Sequence, residues 1–142
     1  MKPASDERTP DGTARFANPP DREQLMTTAV TERTDAIIIR VGGDVDGLTA
    51  PRLATVITSA FDRLAGRLLV IDLSAIDFLG STGLLALQNG AAEAVRNQVP
   101  HHLRIVVNRN RPALRPIEIA GLDLLLELFN SVEDAVASGD LH

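Results

Sequence analysis

The chain has 142 residues, the length of one ordinary domain, and 44% of them are hydrophobic and 23% charged. These values exclude collagen-like, coiled-coil and wholly disordered chains. The chain has no cysteine, which excludes disulfides, thiolate metal sites and thiol catalysis. A net charge of −5 and only four aromatic residues, all Phe, argue against a nucleic-acid partner, since that partner attracts positive charge and stacks on aromatic rings.

The first 23 residues carry four prolines and no hydrophobic periodicity. They are expected to form a disordered N-terminal tail, which leaves residues 24–140 as a single domain. The sequence contains neither an export signal nor an apolar run long enough for a membrane span, so a cytoplasmic location is expected. The only lysine, Lys2, lies in the tail, so the domain lacks the lysine of a nucleotide-binding loop or of Schiff-base chemistry.

The strand signals come from runs of β-branched and apolar residues. Residues 24–31 give a weak signal and residues 36–41 (AIIIRV) a stronger one. Residues 42–47 (GGDVDG) indicate a loop. Residues 68–73 (LLVIDL) are almost continuously apolar, which predicts a central, parallel strand covered on both faces, and residues 74–80 are expected to form its exit loop.

Two long helices are predicted around this central strand. The first has Thr49 as its N-cap, Pro51 in its first turn and apolar residues at spacings of three and four up to Leu64, and Gly66 ends it. The second is predicted over residues 81–97.

Four shorter elements are predicted after Pro100: a strand over 102–108, a helix over 112–120 closed by Gly121, a strand over 124–129, and a helix over 131–137 with Asn130 and Glu133 as a reciprocal cap. The resulting order, β-β-α-β-α-β-α-β-α, predicts an α/β fold. We expect a mixed open sheet of about five strands, beginning with an antiparallel hairpin and packed with about four helices.

The most informative segment is residues 71–85 (IDLSAIDFLGSTGLL), in which a buried strand is followed by Gly-Ser-Thr-Gly at the start of a helix. In an open α/β sheet, the loops at the carboxyl ends of the strands carry the functional sites, and a helix N-terminus there offers free N–H groups. Ser81 is expected to be exposed at this point. Its hydroxyl either caps the helix or has a function of its own.

A serine hydrolase is a poor interpretation of Ser81. A nucleophile elbow requires Gly-x-Ser-x-Gly, and the spacing around Ser81 is different. A triad would also require His101 or His102 to reach the serine, because the third histidine, His142, is terminal. No catalytic residue and no cofactor are therefore expected.

Two further groups of charged residues have alternative interpretations. Asp44 and Asp46 either satisfy N–H groups of their own loop or serve a site, and together with Asp77 they lack the fixed spacing of metal ligands, so no metal site is expected. A local basic run is typical of solvated side chains or, alternatively, of a phosphate or lipid contact; its members are Arg104, Arg109, Arg111 and Arg115.

Over about residues 24–140 the sequence resembles the STAS domains, specifically the small soluble bacterial anti-sigma factor antagonists. The resemblance implies a single STAS-type domain. It rests on short motifs whose order and spacing match together: Gly43-Asp44-Val45-Asp46, Thr49-Ala50 with Leu53, Asp72-Leu73-Ser74 with Ile76 and Phe78, Ser81-Thr82-Gly83-Leu84, and Ala120-Gly121-Leu122.

The resemblance implies a non-enzymatic switch in which Ser81 is the phosphate acceptor. The unphosphorylated protein would bind an anti-sigma factor that is also a serine kinase, and so free a sigma factor. A phosphatase acting on phosphorylated Ser81 would reset the cycle. The residues implied in partner binding are Asp44, Asp46, Gly80, Ser81, Thr82 and Gly83.

One position departs from the family pattern. Many members have Asp immediately before the acceptor serine, where this chain has Gly80. Thr82 is therefore an alternative acceptor, and the alternative function is an adaptor in a stress-signalling or lipid-transport complex that is never phosphorylated. The sequence does not indicate an oligomeric state.

Overall fold

A computed structural model of the chain describes residues 25–97 and 103–137. The elements are β1 (Met26–Glu32), β2 (Ala36–Val45), α1 (Ala50–Arg63), β3 (Leu68–Leu79), α2 (Ser81–Arg96), β4 (Leu103–Val106), α3 (Arg111–Ile119), a 3₁₀ turn (Leu122–Leu124), β5 (Glu127–Phe129) and α4 (Val132–Ala137). This order confirms the predicted α/β arrangement of five strands and four helices. The tail predicted over residues 1–23 lies outside the described residues.

The five strands form one sheet in the order β1-β2-β3-β4-β5. β1 is antiparallel to β2, with Ala29 opposite Arg40, and the other three pairings are parallel. The carboxyl ends of β2, β3 and β4 therefore meet at one edge of the sheet, and the loops that enter α1, α2 and α3 all start there. This edge is where an open α/β sheet places its functional groups.

The helices cover the two faces of the sheet unequally. α1, α2 and α3 pack on one face around a large apolar cluster that includes Leu53, Ile71 and Leu87. Among the helices of the described residues, α4 alone covers the other face, where Val136 packs near Val70 in a smaller cluster. β3 contributes side chains to both clusters, which confirms the prediction of a central strand buried on both sides. Each fully buried Leu or Ile stabilises the fold by about 1.5–3 kcal/mol.

Two predicted loops are extensions of strands. β2 continues through the glycines to Val45, and β3 continues to Leu79. The β2–β3 register shifts between Arg40 and Gly42 and again between Gly43 and Asp44, so β-bulges absorb the glycine pair without ending the strand. The predictions of loops over 42–47 and 74–80 were therefore largely wrong, and the connections into α1 and α2 are shorter and stiffer than expected.

The ends of the later elements also differ in part from the prediction. Gly66 and Gly121 have φ values of 82° and 75°, which confirms both as left-handed helix ends. The last strand is only three residues long, because the first three residues after Gly121 form the 3₁₀ turn. The cap of α4 is Ser131, whose hydroxyl accepts the N–H of Asp134 at 3.0 Å, so the predicted cap at Asn130 was wrong by one residue.

Arg104 is not a solvated member of the basic run, because only 2% of its surface is exposed. Its guanidinium forms an ion pair with Glu127 at 3.2 Å, lies 5.2 Å from the centre of the Phe129 ring, and donates a hydrogen bond to the carbonyl of Ala135. It therefore joins β4, β5 and α4. Arg109, Arg111 and Arg115 are exposed, as the prediction had them.

Candidate functional site

Ser81 lies at the carboxyl edge of the sheet and is the first residue of α2, directly after β3. Its side chain is exposed. The N-cap position of α2 belongs to Gly80, which is extended (φ −89°, ψ 179°) and offers no side-chain cap. The interpretation of Ser81 as the helix cap was therefore wrong. Its hydroxyl stands at the helix N-terminus as an accessible group, in the position that the functional interpretation requires.

The start of α2 is held closely against the ends of two strands. The Gly80 N–H donates to the carbonyl of Val45 at 2.9 Å. Gly83 is buried, and a Cβ at this position would lie 2.6 Å from Leu79 Cδ1 and 2.7 Å from Val45 Cγ1. Only glycine fits this contact without a shift, so Gly83 allows the first turn to pack directly on β2 and β3. The same turn leaves Ser81 exposed.

The end of β2, which carries Asp44, lies beside the first turn of α2. Asp44 pairs with Phe78, and Val45 with Leu79, so the end of β2 runs alongside the approach to Ser81. Asp44 is half-buried there.

Asp46 has a visible structural role. Its carboxylate accepts the N–H groups of Leu48 at 3.0 Å and Thr49 at 3.2 Å, which closes the turn into α1. Thr49 is the N-cap residue of α1, as predicted, but its hydroxyl does not cap the helix. The hydroxyl donates to the Asp44 carbonyl and accepts the Asp46 N–H, both at 2.8 Å. Asp46 and Thr49 therefore fix the shape of the loop.

The described residues offer little for metal or hydrolytic chemistry. Among them no group of three or more metal-binding side chains is close enough together to hold an ion. His101 and His102, which were weighed as partners of Ser81, and the terminal His142 all lie outside the described residues. No helix in the described part of the chain has the length and apolar character needed to cross a membrane.

An open groove with a mixed apolar and polar lining lies beside Ser81. It has a volume of about 420 Å³ and is lined by Ser81, Thr82, Leu84, Leu85, Gln88, Ala120 and Leu122. Leu85 is 54% exposed, and Leu124, on the same 3₁₀ turn as Leu122, is 92% exposed. Exposed apolar surface of this kind marks a protein contact when it is contiguous. Sequence reasoning missed these leucines, although the run LDLLLELF at 122–129 has more of them than a short strand can bury.

The electrostatics of the first turn of α2 suit an anion. The turn contains no acidic side chain. A helix N-terminus carries a partial positive charge of about half a unit and presents unpaired N–H groups, and both favour a phosphate bound there. A phosphate on the Ser81 hydroxyl would therefore be tolerated by the domain itself.

The Phe78 ring lies in the space that a side chain at position 80 would occupy. A Cβ at Gly80 would lie 3.0 Å from the Phe78 ring, which is half exposed and turned toward this position. A larger residue before Ser81 would have to displace the ring. This chain thus places an aromatic surface next to the serine.

Residues 27–135 match the family model of the STAS domain. An anti-sigma-F factor antagonist of Mycobacterium tuberculosis, RsfB, is 35% identical over 112 residues, which cover 78% of this chain and 87% of that protein. The crystal structure of an anti-sigma factor antagonist from Mycobacterium paratuberculosis is 31% identical, has a TM-score of 0.68, and is matched over 83% of this chain and 96% of its own. The phosphorylated form of the Bacillus cell fate determinant SpoIIAA is 16% identical, covers 79% of this chain and 98% of its own, and shares the fold with a TM-score of 0.57.

The sheet order, the helix that starts at the sheet edge and these matches define a domain of the STAS type. The chain belongs to the STAS domain family, which confirms the resemblance found in the sequence.

Proposed function

We propose that the protein is an anti-sigma factor antagonist whose docking surface surrounds Ser81 and is switched by phosphorylation of that serine. The observation that carries this proposal is the exposed Ser81 at the first position of α2, with the exposed Leu85 and the partly exposed Leu84 in the groove beside it. A hydroxyl in that setting is accessible to a kinase and lies within a surface suited to protein contact. The protein acts as a kinase substrate and binding partner, and not as an enzyme.

The switch follows from the different costs of a phosphate in the free and the bound protein. Phosphorylation adds about −1.5 to −2 charges at neutral pH. In the free domain that charge is solvated and lies at a helix N-terminus, where it is favourable. In a complex, the same charge would be desolvated against the partner, which costs several kcal/mol unless cations meet it. Since each ~1.4 kcal/mol changes affinity tenfold, docking would be lost while the fold survives.

The neighbouring residues have separate roles in this proposal. Asp44 and Thr82 offer polar groups beside Ser81 for direct contact with the partner. Asp46, Gly80 and Gly83 act indirectly, because they fix the turn into α1 and the close packing of α2. The Phe78 ring supplies apolar contact where a carboxylate is absent.

The class of partner is inferred from the relatives. The M. tuberculosis protein, 35% identical, is named as an antagonist of an anti-sigma-F factor. We extend that partner class to this chain, with an anti-sigma factor that is also a serine kinase, and with a phosphatase that removes the phosphate from Ser81. The expected site of action is the cytoplasm, where sigma factors work.

A phosphorylation assay tests the acceptor. The purified chain is incubated with ATP and each anti-sigma kinase of its source bacterium, and its intact mass is measured. We expect one phosphate on the wild type and on Thr82→Ala, and none on Ser81→Ala. Phosphate on Ser81→Ala but not on Thr82→Ala would move the acceptor to Thr82. No phosphate from any of these kinases would favour the constitutive adaptor.

A binding assay tests the polarity of the switch. The same anti-sigma factors are titrated with wild type, Ser81→Ala and Ser81→Glu, and with Ser59→Glu, which adds the same charge at an exposed position of α1. We expect Ser81→Glu to bind at least about tenfold more weakly than the wild type. Ser81→Ala and Ser59→Glu should both bind as tightly as the wild type. Equal binding by Ser81→Glu and wild type would contradict a switch at this serine.

A further inference from the structure

A second groove, separate from the one at Ser81, lies between the end of β3 and α3. It has a volume of about 630 Å³ and shares only Leu84 and Ala120 with the groove beside Ser81. Small-molecule sites in proteins have volumes of about 300–1,000 Å³, are mostly apolar, and hold a few charged groups. The size of this groove falls within that range.

The walls of the groove are mainly apolar. Phe78 and Leu79 come from the end of β3, and Pro112, Pro116 and Ile119 come from α3. Ile119 is 75% exposed and Phe78 is 50% exposed, so the apolar surface is open to water and not part of the core. Covering this surface with an apolar group would favour binding, because it removes apolar area from water.

The polar groups of the groove are dominated by two arginines. Arg111 and Arg115 stand one turn apart on α3 and both line the groove, and Asp77 is the one carboxylate in the lining. Neither arginine forms an ion pair with a carboxylate of residues 25–97 or 103–137, whereas the exposed Arg63 and Arg96 each have a glutamate partner.

The placement of Arg111 and Arg115 one turn apart destabilises α3 when no anion is bound. Like charges four residues apart on a helix repel each other and destabilise the helix. The first turn of α3 contains no acidic residue to offset them, and the partial positive charge of the helix N-terminus adds to theirs. An anion placed between the two guanidinium groups would remove this repulsion.

We propose that this groove binds a small organic anion with an apolar body, such as a medium-chain carboxylate. The carboxylate head binds Arg111 and Arg115, whose planar guanidinium groups form paired hydrogen bonds with carboxylates. The chain lies against Phe78, Pro112, Pro116 and Ile119. The two ends of the ligand thus match the two kinds of surface that the groove presents.

Ser81 does not line this groove, so anion binding here can be measured whether or not Ser81 is phosphorylated, although Phe78, Leu84 and Ala120 also belong to the docking surface proposed around Ser81. An apolar segment of a protein partner is the competing occupant. Such a segment would use the same hydrophobic walls but would not require a free anionic head, and that difference separates the two in an experiment.

The test uses the full chain and three amphiphiles with the same alkyl chain: decanoate, decanol and decyltrimethylammonium. Binding is followed by isothermal titration calorimetry below the micelle concentration and by backbone amide NMR. We expect saturable binding of decanoate, at least about tenfold tighter than that of the other two. The shifted amides should be those of residues 77–84 and 111–120.

Three variants identify the groups responsible. Arg111→Ala/Arg115→Ala should weaken decanoate binding by about tenfold, and Ile119→Ser should weaken it several-fold. Arg96→Ala is the matched control, because Arg96 is paired with Glu93 at the far end of α2, and it should bind like the wild type. Circular dichroism establishes that each variant is folded. The double arginine variant removes the charged surface and Ile119→Ser removes part of the apolar surface. If one of these variants does not fold, the other still tests the site.

Several results would overturn the proposal. Equal binding of all three amphiphiles would show an apolar surface without selection for an anion, as expected of a protein docking groove. Decanoate binding that is unchanged in the double arginine variant, or shifts confined to amides elsewhere, would place the anion outside this groove. No decanoate binding by the wild type would reject the site.

Discussion

Gly43 lies where β2 is bulged, and its φ of 82° belongs to the left-handed region. A Cβ there would stand 1.8 Å from the carbonyl oxygen of Leu25, at the start of β1. Gly43→Ala therefore combines a left-handed alanine, which costs about 1–2 kcal/mol, with a backbone displacement of the β1–β2 pairing. We expect the free energy of unfolding, measured by urea denaturation, to fall by at least about 2 kcal/mol.

Gly47 is the matched control for this substitution. It is exposed, and a Cβ at Gly47 would meet nothing within 4 Å. Gly47→Ala should change the free energy of unfolding by less than about 0.5 kcal/mol. A similar small effect of Gly43→Ala would mean that the bulge is free to rearrange in solution.

Single residues also show where sequence reasoning succeeds and where it fails. Ser81 could be placed at an exposed helix start from its neighbours alone, because a buried strand followed by Gly-Ser-Thr-Gly leaves few other geometries. Arg104 could not be placed correctly, since its burial depends on Glu127, Phe129 and Ala135, all more than twenty residues away in sequence. Local charge patterns do not report contacts of that range.

Helices were predicted more accurately than strand ends, and for a physical reason. The apolar spacing of α1 and α2 is a local property that fixes both helices nearly to their observed limits. The extent of β2 and β3 depends on pairing with each other, and that pairing accommodates Gly42 and Gly43 through bulges. Likewise β5 is short because the 3₁₀ turn at Leu122–Leu124 precedes it, and the formation of this turn depends on tertiary contacts.

The backbone just after α1 is strained at Ala65, and a substitution there should relieve the strain. Ala65, just after the C-cap of α1, has a φ of 52°, and Gly66 follows at 82°. Alanine in the left-handed region costs about 1–2 kcal/mol, whereas glycine adopts it freely but loses more entropy on folding. We expect Ala65→Gly to raise the free energy of unfolding by about 0.5 kcal/mol, measured by urea denaturation.

The same substitution within α1 supplies a control of opposite sign. Ala54 is exposed in the middle of the helix. Ala54→Gly should lower the free energy of unfolding by about 1 kcal/mol, because glycine is a poor helix former. If both substitutions destabilise the protein equally, Ala65 does not hold the left-handed conformation in solution.

In the molecule as a whole, the switch proposed at Ser81 is separate from the core that stabilises the fold. The large apolar cluster is built by α1, α2 and α3 against the sheet, while Ser81, Leu85 and Leu124 are exposed at the sheet edge and are not part of that cluster. A change of charge at Ser81 therefore touches no buried contact. The same edge carries the groove of α3, so both proposed binding surfaces lie at one end of the fold.

Ser81→Glu tests this separation directly. A carboxylate at the first position of α2 interacts favourably with the helix dipole, which is worth about 0.3–1 kcal/mol at low salt. We therefore expect the melting temperature, followed by circular dichroism, to stay equal to that of the wild type or to rise by a few degrees. The gain should diminish as salt screens the charge. A clear fall in melting temperature would show that a negative charge at Ser81 weakens the fold itself. Loss of partner binding by this variant would then be explained by unfolding, and not by a charge that disrupts the interface with the partner.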